Sequence, residues 1–437
     1  MTTLTAPNPH AAPARPAPAG ILGALVLRSD FLYLYFVIFT ASGAVFRFGA
    51  INTYLWYAIY LWTLARLAIE MPALMRAAIR NWPVFLWPML ALASFAWSYA
   101  PGSSLQGGMQ LLMTTIIAVF IGSRFALRDI VIALTVILSG AALVSLALLF
   151  TGSRDMFAVS GGFEGVFSHK NTLGQRMNVL VATGMVLLLA ARWRLRLPLL
   201  GMLGIAAYLL VLSKSATSQI LGILTPAALL TLAFLRLDAQ KAALGALAGL
   251  AMAAACVMAL FVASGDPVSY VLDSFGKDST LTGRTWLWAR GIEQIGDHPL
   301  IGGGYQAFWV NERSSEVLWI RHITLESVKG FHNVGIEVWN DLGVPGFLAL
   351  IGVLLAYARR TFRFYRATPS PVGLLPLFFL VIAVVSGSVN NAFFRQHELV
   401  HVLICAFFAA AAMPAMARVP ALSVSSAPVL HFRKVTP

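Results

Sequence analysis

Long apolar runs separated by short polar segments recur along the whole chain. A helix that crosses a bilayer needs about 20 mostly apolar residues. Twelve such runs stand out, near 31–47, 51–69, 83–99, 106–123, 130–151, 172–191, 198–213, 217–235, 243–263, 343–358, 372–390 and 398–416. The split near residue 214 stays open, because LLVLSKSATSQILG reads either as a turn between two spans or as one kinked helix. The pattern predicts an all-α integral membrane protein of about twelve transmembrane helices, with no evident internal repeat. Its expected parts are a disordered cytoplasmic tail over 1–20, helices one to nine within 21–263, one large outer loop over 264–342, helices ten to twelve within 343–416, and a cytoplasmic tail over 417–437. The Ala/Pro-rich first 20 residues lack the charged start and short apolar core of a secretory signal.

Composition agrees with this picture. The 437 residues are 59% hydrophobic and 11% charged, with a mean hydropathy of +0.79, whereas a soluble domain carries about 25% charged residues. The net charge of +14 resembles a nucleic-acid signal until the basic residues are placed on the spans. With the N-terminus inside, Arg15, Arg28, Arg66, Arg76, Arg80, Arg124, Arg128, Arg192, Arg194, Arg196, Arg236, Lys241, Arg359, Arg360, Arg363, Arg366, Arg418, Arg433 and Lys434 all fall on inner segments, as the positive-inside rule requires. Of the acids, only Asp30, Glu70, Asp129 and Asp238 fall there. The charge is therefore chiefly a topology signal, and no nucleic-acid partner is expected. Cys256 and Cys405 both lie in apolar runs, which argues against a disulfide framework or a zinc site.

Candidate chemistry gathers on the opposite, outer side. Loops as long as 264–342 are usually functional or disordered. RTWLWARGIEQI and HNVGIEVWNDLG look helical within it, so the loop is expected to be structured. The outer cations are Lys170, Arg176, Lys214, Arg284, Arg321 and Arg395. The arginine fork and the lysine point charge are what a phosphate or diphosphate needs. The alternative is that each snorkels to headgroups or pairs with an acid. In GVFSHKNTLGQR, His169, Lys170, Asn171, Gln175 and Arg176 crowd the mouth of the sixth span. They read either as substrate contacts or as a helix-start cluster that holds the loop in place.

In GFHNVGIEVWNDLGVPG, Asn333 is placed to cap a helix leading into the tenth span. His332, beside that N-terminus, tends to be neutral and so suits a general base. The plainer reading is an interface histidine bonded to a backbone carbonyl. In HPLIGGGYQAFW, Gly302, Gly303 and Gly304 offer a weak anion signal. Tyr305, Phe308 and Trp309 stack on sugar rings in one reading and form an aromatic belt in the other. No serine-hydrolase elbow, HExxH, Walker loop or CxxC occurs. This inventory fits a transferase whose donor carries its own phosphate leaving group, or a transporter of an anionic lipid or solute.

SHKNTLGQ, LLVLSKSATS, LTGRTWLWARGIEQIGDHPLIGGGYQAFW and HNVGIEVWNDLGVPGFLAL, in this order, resemble the O-antigen ligase / Wzy-type polysaccharide polymerase family, with SHKN closest to its ExoQ-like branch. The likeness covers about residues 160–360. It implies a GT-C-like, metal-independent glycosyltransferase without cofactors in the bacterial inner membrane, its site facing the periplasm. The implied donor is a polyprenyl-diphosphate-linked oligosaccharide. The implied acceptor is a lipid-linked glycan for a polymerase or lipid A–core for a ligase. On this resemblance His332 is the catalytic histidine and Arg284 meets the diphosphate. Lys214, His169, Lys170, Asn171, Arg176, Asn333, Tyr305, Arg321 and Arg395 are the expected substrate contacts. Where the family often has Arg in the SKSATS turn, Ala216 stands here and Lys214 is two residues earlier. That departure bears on the second diphosphate contact and favours a polymerase over a ligase. Polar groups gather at the outer mouth rather than at mid-membrane, which favours surface chemistry over transport.

Overall fold

The computed structural model describes residues 21–44, 49–151, 156–158, 161–234, 284–310, 317–320, 330–367, 369–388 and 394–412. The ninth expected span, both tails and Arg321 lie outside them. Regular structure among the described residues is helical, apart from one isolated bridge between Phe157 and Phe163. The helices are α1 (Ile21–Ser42), α2 (Ala50–Arg80), α3 (Leu86–Ala93), α4 (Pro101–Arg124), α5 (Leu127–Leu149), α6 (Lys170–Ala190), α7 (Trp193–Leu212), α8 (Ala216–Phe234), α9 (Arg284–Asp297), α10 (Ala307–Val310), α11 (Val334–Ala367), α12 (Pro371–Gly387) and α13 (Leu399–Ala410). Among the described residues, α2, α4, α5, α6, α7 and α11 are long and apolar enough to cross a bilayer. The protein is thus a multi-pass membrane protein. Shorter apolar helices cover Ser29–Ser42, Trp82–Ala96, Pro371–Gly387 and Leu399–Ala410. The open boundary near 214 resolves into a turn, because Lys214 has φ 50 and separates α7 from α8.

Two long helices are broken where proline removes a backbone donor and crowds the preceding turn. In α2, Glu70 leaves helical geometry two residues before Pro72. In α11, Gly343 (φ 63, ψ −156) breaks the helix two residues before Pro345. A Cβ at Gly343 would sit 2.4 Å from the Leu300 carbonyl oxygen, so only glycine fits. The break separates a shorter piece over 334–342 from the membrane-length piece that follows.

Side-chain contacts sort the helix ends into two groups. At one end Asp30, wholly buried, pairs with Arg66 at 2.6 Å and Arg124 at 2.7 Å, and Glu70 pairs with Arg66 at 3.1 Å. Arg360 donates to Asn81 Oδ1 at 2.5 Å and to the Arg80 carbonyl at 3.0 Å. These are residues the charge pattern assigned to the inner side. At the other end the C-terminus of α1 meets the N-termini of α6 and α13, and the C-terminus of α12 meets the N-terminus of α11. α6 packs against α5, α7, α8 and α12, and α4 packs against α3 and α13. A small separate core of Leu287, Phe308, Trp309, Val317, Ile320 and Phe331 holds the described part of the long loop together.

Candidate functional site

The turn ahead of α11 is fastened from several sides. Asn333 caps the helix: its Oδ1 accepts from the Gly335 amide at 2.9 Å and the Ile336 amide at 3.2 Å, and its Nδ2 donates to the Ser388 carbonyl at 3.1 Å. An asparagine in this place satisfies amides that a helix start leaves without partners. His332 precedes it, half-buried, with φ 54, a backbone region that non-glycine residues seldom occupy. On the other side of His332, the Phe331 amide donates to Glu337 Oε2 at 2.8 Å, and the Phe331 carbonyl accepts from Trp288 Nε1 at 2.9 Å. Trp288 lies one turn into α9, the helix that begins at Arg284. α9 is pressed close: a Cβ on Gly291 would come within 2.5 Å of Ile336 and 3.0 Å of Phe331. The structure therefore brings the Arg284 end of α9 and the His332 turn together through backbone and tryptophan contacts.

Lys214, His169, Lys170 and Asn171 form a second group. The loop over 161–169 folds back onto the α7–α8 turn, with the Phe163 amide donating to the Leu212 carbonyl at 2.9 Å. A Cβ on Gly162 would meet both Lys170 Cδ and the Ser213 carbonyl at 2.5 Å, and one on Gly161 would lie 3.5 Å from Lys214 Nζ. Two lysines thus flank one glycine pair. Lys214 is exposed. His169 caps α6, its Nδ1 accepting from the Asn171 amide at 3.1 Å. A ring nitrogen that accepts carries no proton, so a neutral His169 holds its hydrogen on Nε2.

The remaining expected contacts are placed differently. Arg176 is 2% exposed. It donates to the Ser42 carbonyl at 2.9 Å and Gln175 Oε1 at 2.7 Å, and pairs with Glu398 at 3.1 Å. It ties α1, α6 and α13 together from inside the protein. Tyr305 is wholly buried, with its hydroxyl bonded to the Phe394 carbonyl and to Gln396 Oε1, both at 3.0 Å. Burial raises its hydroxyl pKa, and its ring has no open face for a sugar. The glycine run ahead of it is also committed: the amides of Gly302, Gly303 and Gly304 donate to the carbonyls of His298, Asn340 and Asp341. The glycines serve close packing on α11 and Tyr99 instead of cradling an anion. Arg395 pairs with Glu337 at 3.0 Å, which joins the last connection to the His332 turn.

Sequence reading missed how much the Arg395–Glu398 segment does. Gln396 links Gln306, Gln110 and Tyr305. The His397 amide donates to Thr114 Oγ1 at 3.3 Å, and its ring stacks on Trp56 at 4.3 Å and bonds the Tyr60 hydroxyl. Burial lowers the His397 imidazole pKa to about 4. The signal for this segment in the sequence is four consecutive polar residues, Arg395, Gln396, His397 and Glu398, at the entrance to the last apolar run.

Residues 200–351 match the family model described as O-Antigen ligase. This range takes in Lys214, α9 and the His332 turn. The chain is also 32% identical over 329 residues to the exopolysaccharide production protein ExoQ of Rhizobium meliloti (strain 1021), covering 71% of each protein. The chain belongs to the O-antigen ligase/ExoQ-like family. The O-antigen ligase/ExoQ-like family comprises glycan-transferring enzymes of the inner membrane that act on lipid-linked glycans. Within it, this chain places its two groups of polar and cationic residues at the end of the helix bundle opposite the Asp30–Arg66–Arg124 cluster.

Proposed function

We propose that this protein is a membrane glycosyltransferase that uses a polyprenyl-diphosphate-linked glycan and polymerises oligosaccharide repeats of a surface or exopolysaccharide. The reading takes the expected architecture with it: about twelve spans in a GT-C-like arrangement, cytoplasmic tails, and a periplasmic loop over 264–342 that carries the site. One observation supports it above the others. His332 sits in a fastened left-handed turn at a helix N-terminus, with the helix that starts at Arg284 docked on that turn.

The chemistry follows from the donor. The acceptor hydroxyl oxygen attacks the anomeric carbon, and the bond from that carbon to the diphosphate oxygen breaks. His332 takes the hydroxyl proton, and the polyprenyl diphosphate leaves with the bonding electrons. Arg284 and Lys214 meet the charge that develops on the leaving group, the kind of stabilisation that preorganised cations supply best in a water-poor site. His169, Lys170 and Asn171, grouped with Lys214, contact the glycan or the diphosphate, and Arg321 adds a further cation. Asn333 and Arg395 hold the turn, while Arg176 and Tyr305 act as scaffold. With these groups in place the reaction calls for no added divalent metal. Chelation that abolishes activity, with recovery on adding metal, would refute this point.

A second reading, O-antigen ligation to lipid A–core, is favoured by the description of the family model over residues 200–351. Purified protein given lipid-linked repeats alone, and then with lipid A–core, separates the two. Ladders without lipid A–core mean polymerisation, and product only in its presence means ligation. Substrate that binds without turnover in either mixture would return the transporter reading.

A further inference from the structure

We infer that Glu337, braced by Arg395, is a positioning residue for His332. The inference rests on the role proposed for His332, although its structural half is tested independently. Glu337 stands in the first turn of α11 and is 2% exposed. Both of its carboxylate oxygens are engaged: Oε2 accepts the Phe331 amide at 2.8 Å, and Oε1 accepts Arg395 Nη2 at 3.0 Å. Its own amide donates to the Asn333 carbonyl at 2.9 Å.

In an ordinary capping box, a glutamate three residues past the cap reaches back to the cap's own amide. Here the glutamate lies four residues past Asn333 and reaches the amide of Phe331, two residues before it. This longer reach spans His332, and the chain between the two anchor points is the left-handed His332 backbone. L-residues avoid that conformation unless their surroundings impose it. Glu337 and Trp288 grip Phe331 on one side, and Asn333 is held by two amides and the Ser388 carbonyl on the other. A neutral hydrogen bonder would suffice for the amide alone. The carboxylate also gives Arg395 a partner, and so ties the turn to the segment that enters α13. A buried carboxylate without a cation would be costly, which makes the arginine part of the same device.

The test uses the full-length protein in detergent with lipid-linked repeats, comparing wild type, Glu337→Ala, Glu337→Gln, Arg395→Lys and His332→Ala. Turnover and donor KM are measured alongside hydrogen exchange over 330–337. For Glu337→Ala we expect a turnover at least tenfold lower, donor KM within twofold of wild type, and faster exchange confined to the His332 turn. Glu337→Gln keeps an acceptor for Phe331 and recovers part of the turnover, and Arg395→Lys retains more than Glu337→Ala does. Glu337→Ala with wild-type turnover and exchange, beside an inactive His332→Ala, overturns the inference and leaves the proposed role of His332 intact. Faster exchange throughout the protein, with turnover and KM failing together, also overturns it, because the residue would then be a general support. If His332→Ala keeps full turnover, the proposed catalytic role falls, while local exchange in Glu337→Ala still decides whether Glu337 holds the turn.

Discussion

Replacing Glu398 by alanine strands a cation inside the protein. The Arg176 side chain is 3% exposed and that of Glu398 is 37% exposed, so the two halves of this ion pair are not equivalent. Without Glu398, the guanidinium keeps its bonds to the Ser42 carbonyl and Gln175 but has no counter-charge and little water. Removing one partner of a buried pair costs about 3–5 kcal/mol; the half-open position of Glu398 puts the expected loss near the lower figure. Arg176→Met is milder, because it withdraws the buried charge itself and leaves a carboxylate that rehydrates. The remaining cost is the unpartnered Ser42 carbonyl and weaker coupling of three helices, about 1–2 kcal/mol. The double variant should fall short of the sum of the singles by about 1–3 kcal/mol. Thermal unfolding in detergent, followed by tryptophan fluorescence, should rank wild type above Arg176→Met and Arg176→Met above Glu398→Ala. Donor KM of the folded Arg176→Met protein should stay within twofold of wild type. A variant with wild-type unfolding temperature and a tenfold higher KM would show that Arg176 faces the substrate, and would refute this reasoning.

His332→Ala should reduce turnover about 10²–10⁴-fold with little change in donor binding; a His332→Gln protein that retains most activity would remove the proton-accepting role. Arg284→Ala should lose about a hundredfold, roughly 3 kcal/mol, and Arg284→Lys should recover little because the fork is gone. Wild-type turnover in a well-expressed Arg284→Ala protein would take the residue out of the mechanism. His397 has its pKa lowered by burial to about 4 from 6.5, so between those values the unfolded chain binds more protons than the folded one. Stability should therefore be full above about pH 6.5 and decline as the pH falls, by about 2 kcal/mol at pH 5. His397→Phe, which keeps a ring on Trp56, should flatten that decline, and an unchanged slope in the variant would assign it to another group. A cysteine replacing the exposed Leu300 should react with an impermeant thiol reagent from the periplasm, whereas labelling only after the inner membrane is opened would reverse the topology.

The order of apolar runs and the placement of arginines were enough to define a helical, multi-pass membrane protein. Both depend on composition over a span, which local sequence carries. The Asn333 cap was legible for the same reason, since a cap and the amides it satisfies lie within one turn. Which polar groups are enclosed and which are left open was not legible, because that depends on partners far away in the chain. Arg176 and Lys214 look alike as outer-face cations. Yet one is enclosed by Ser42 and by Glu398, 222 positions away, while the other stays exposed beside Gly161. Gly302, Gly303 and Gly304 resemble an anion loop, but carbonyls from His298 and from the α11 helix take their amides. Only the fold could spend those donors. The left-handed turn at His332 likewise follows from Trp288, Glu337 and Ser388 closing on it from three elements. Histidine enters that backbone more readily than most residues, but the Trp288 and Ser388 contacts, from α9 and from the end of α12, join Glu337 in holding it there.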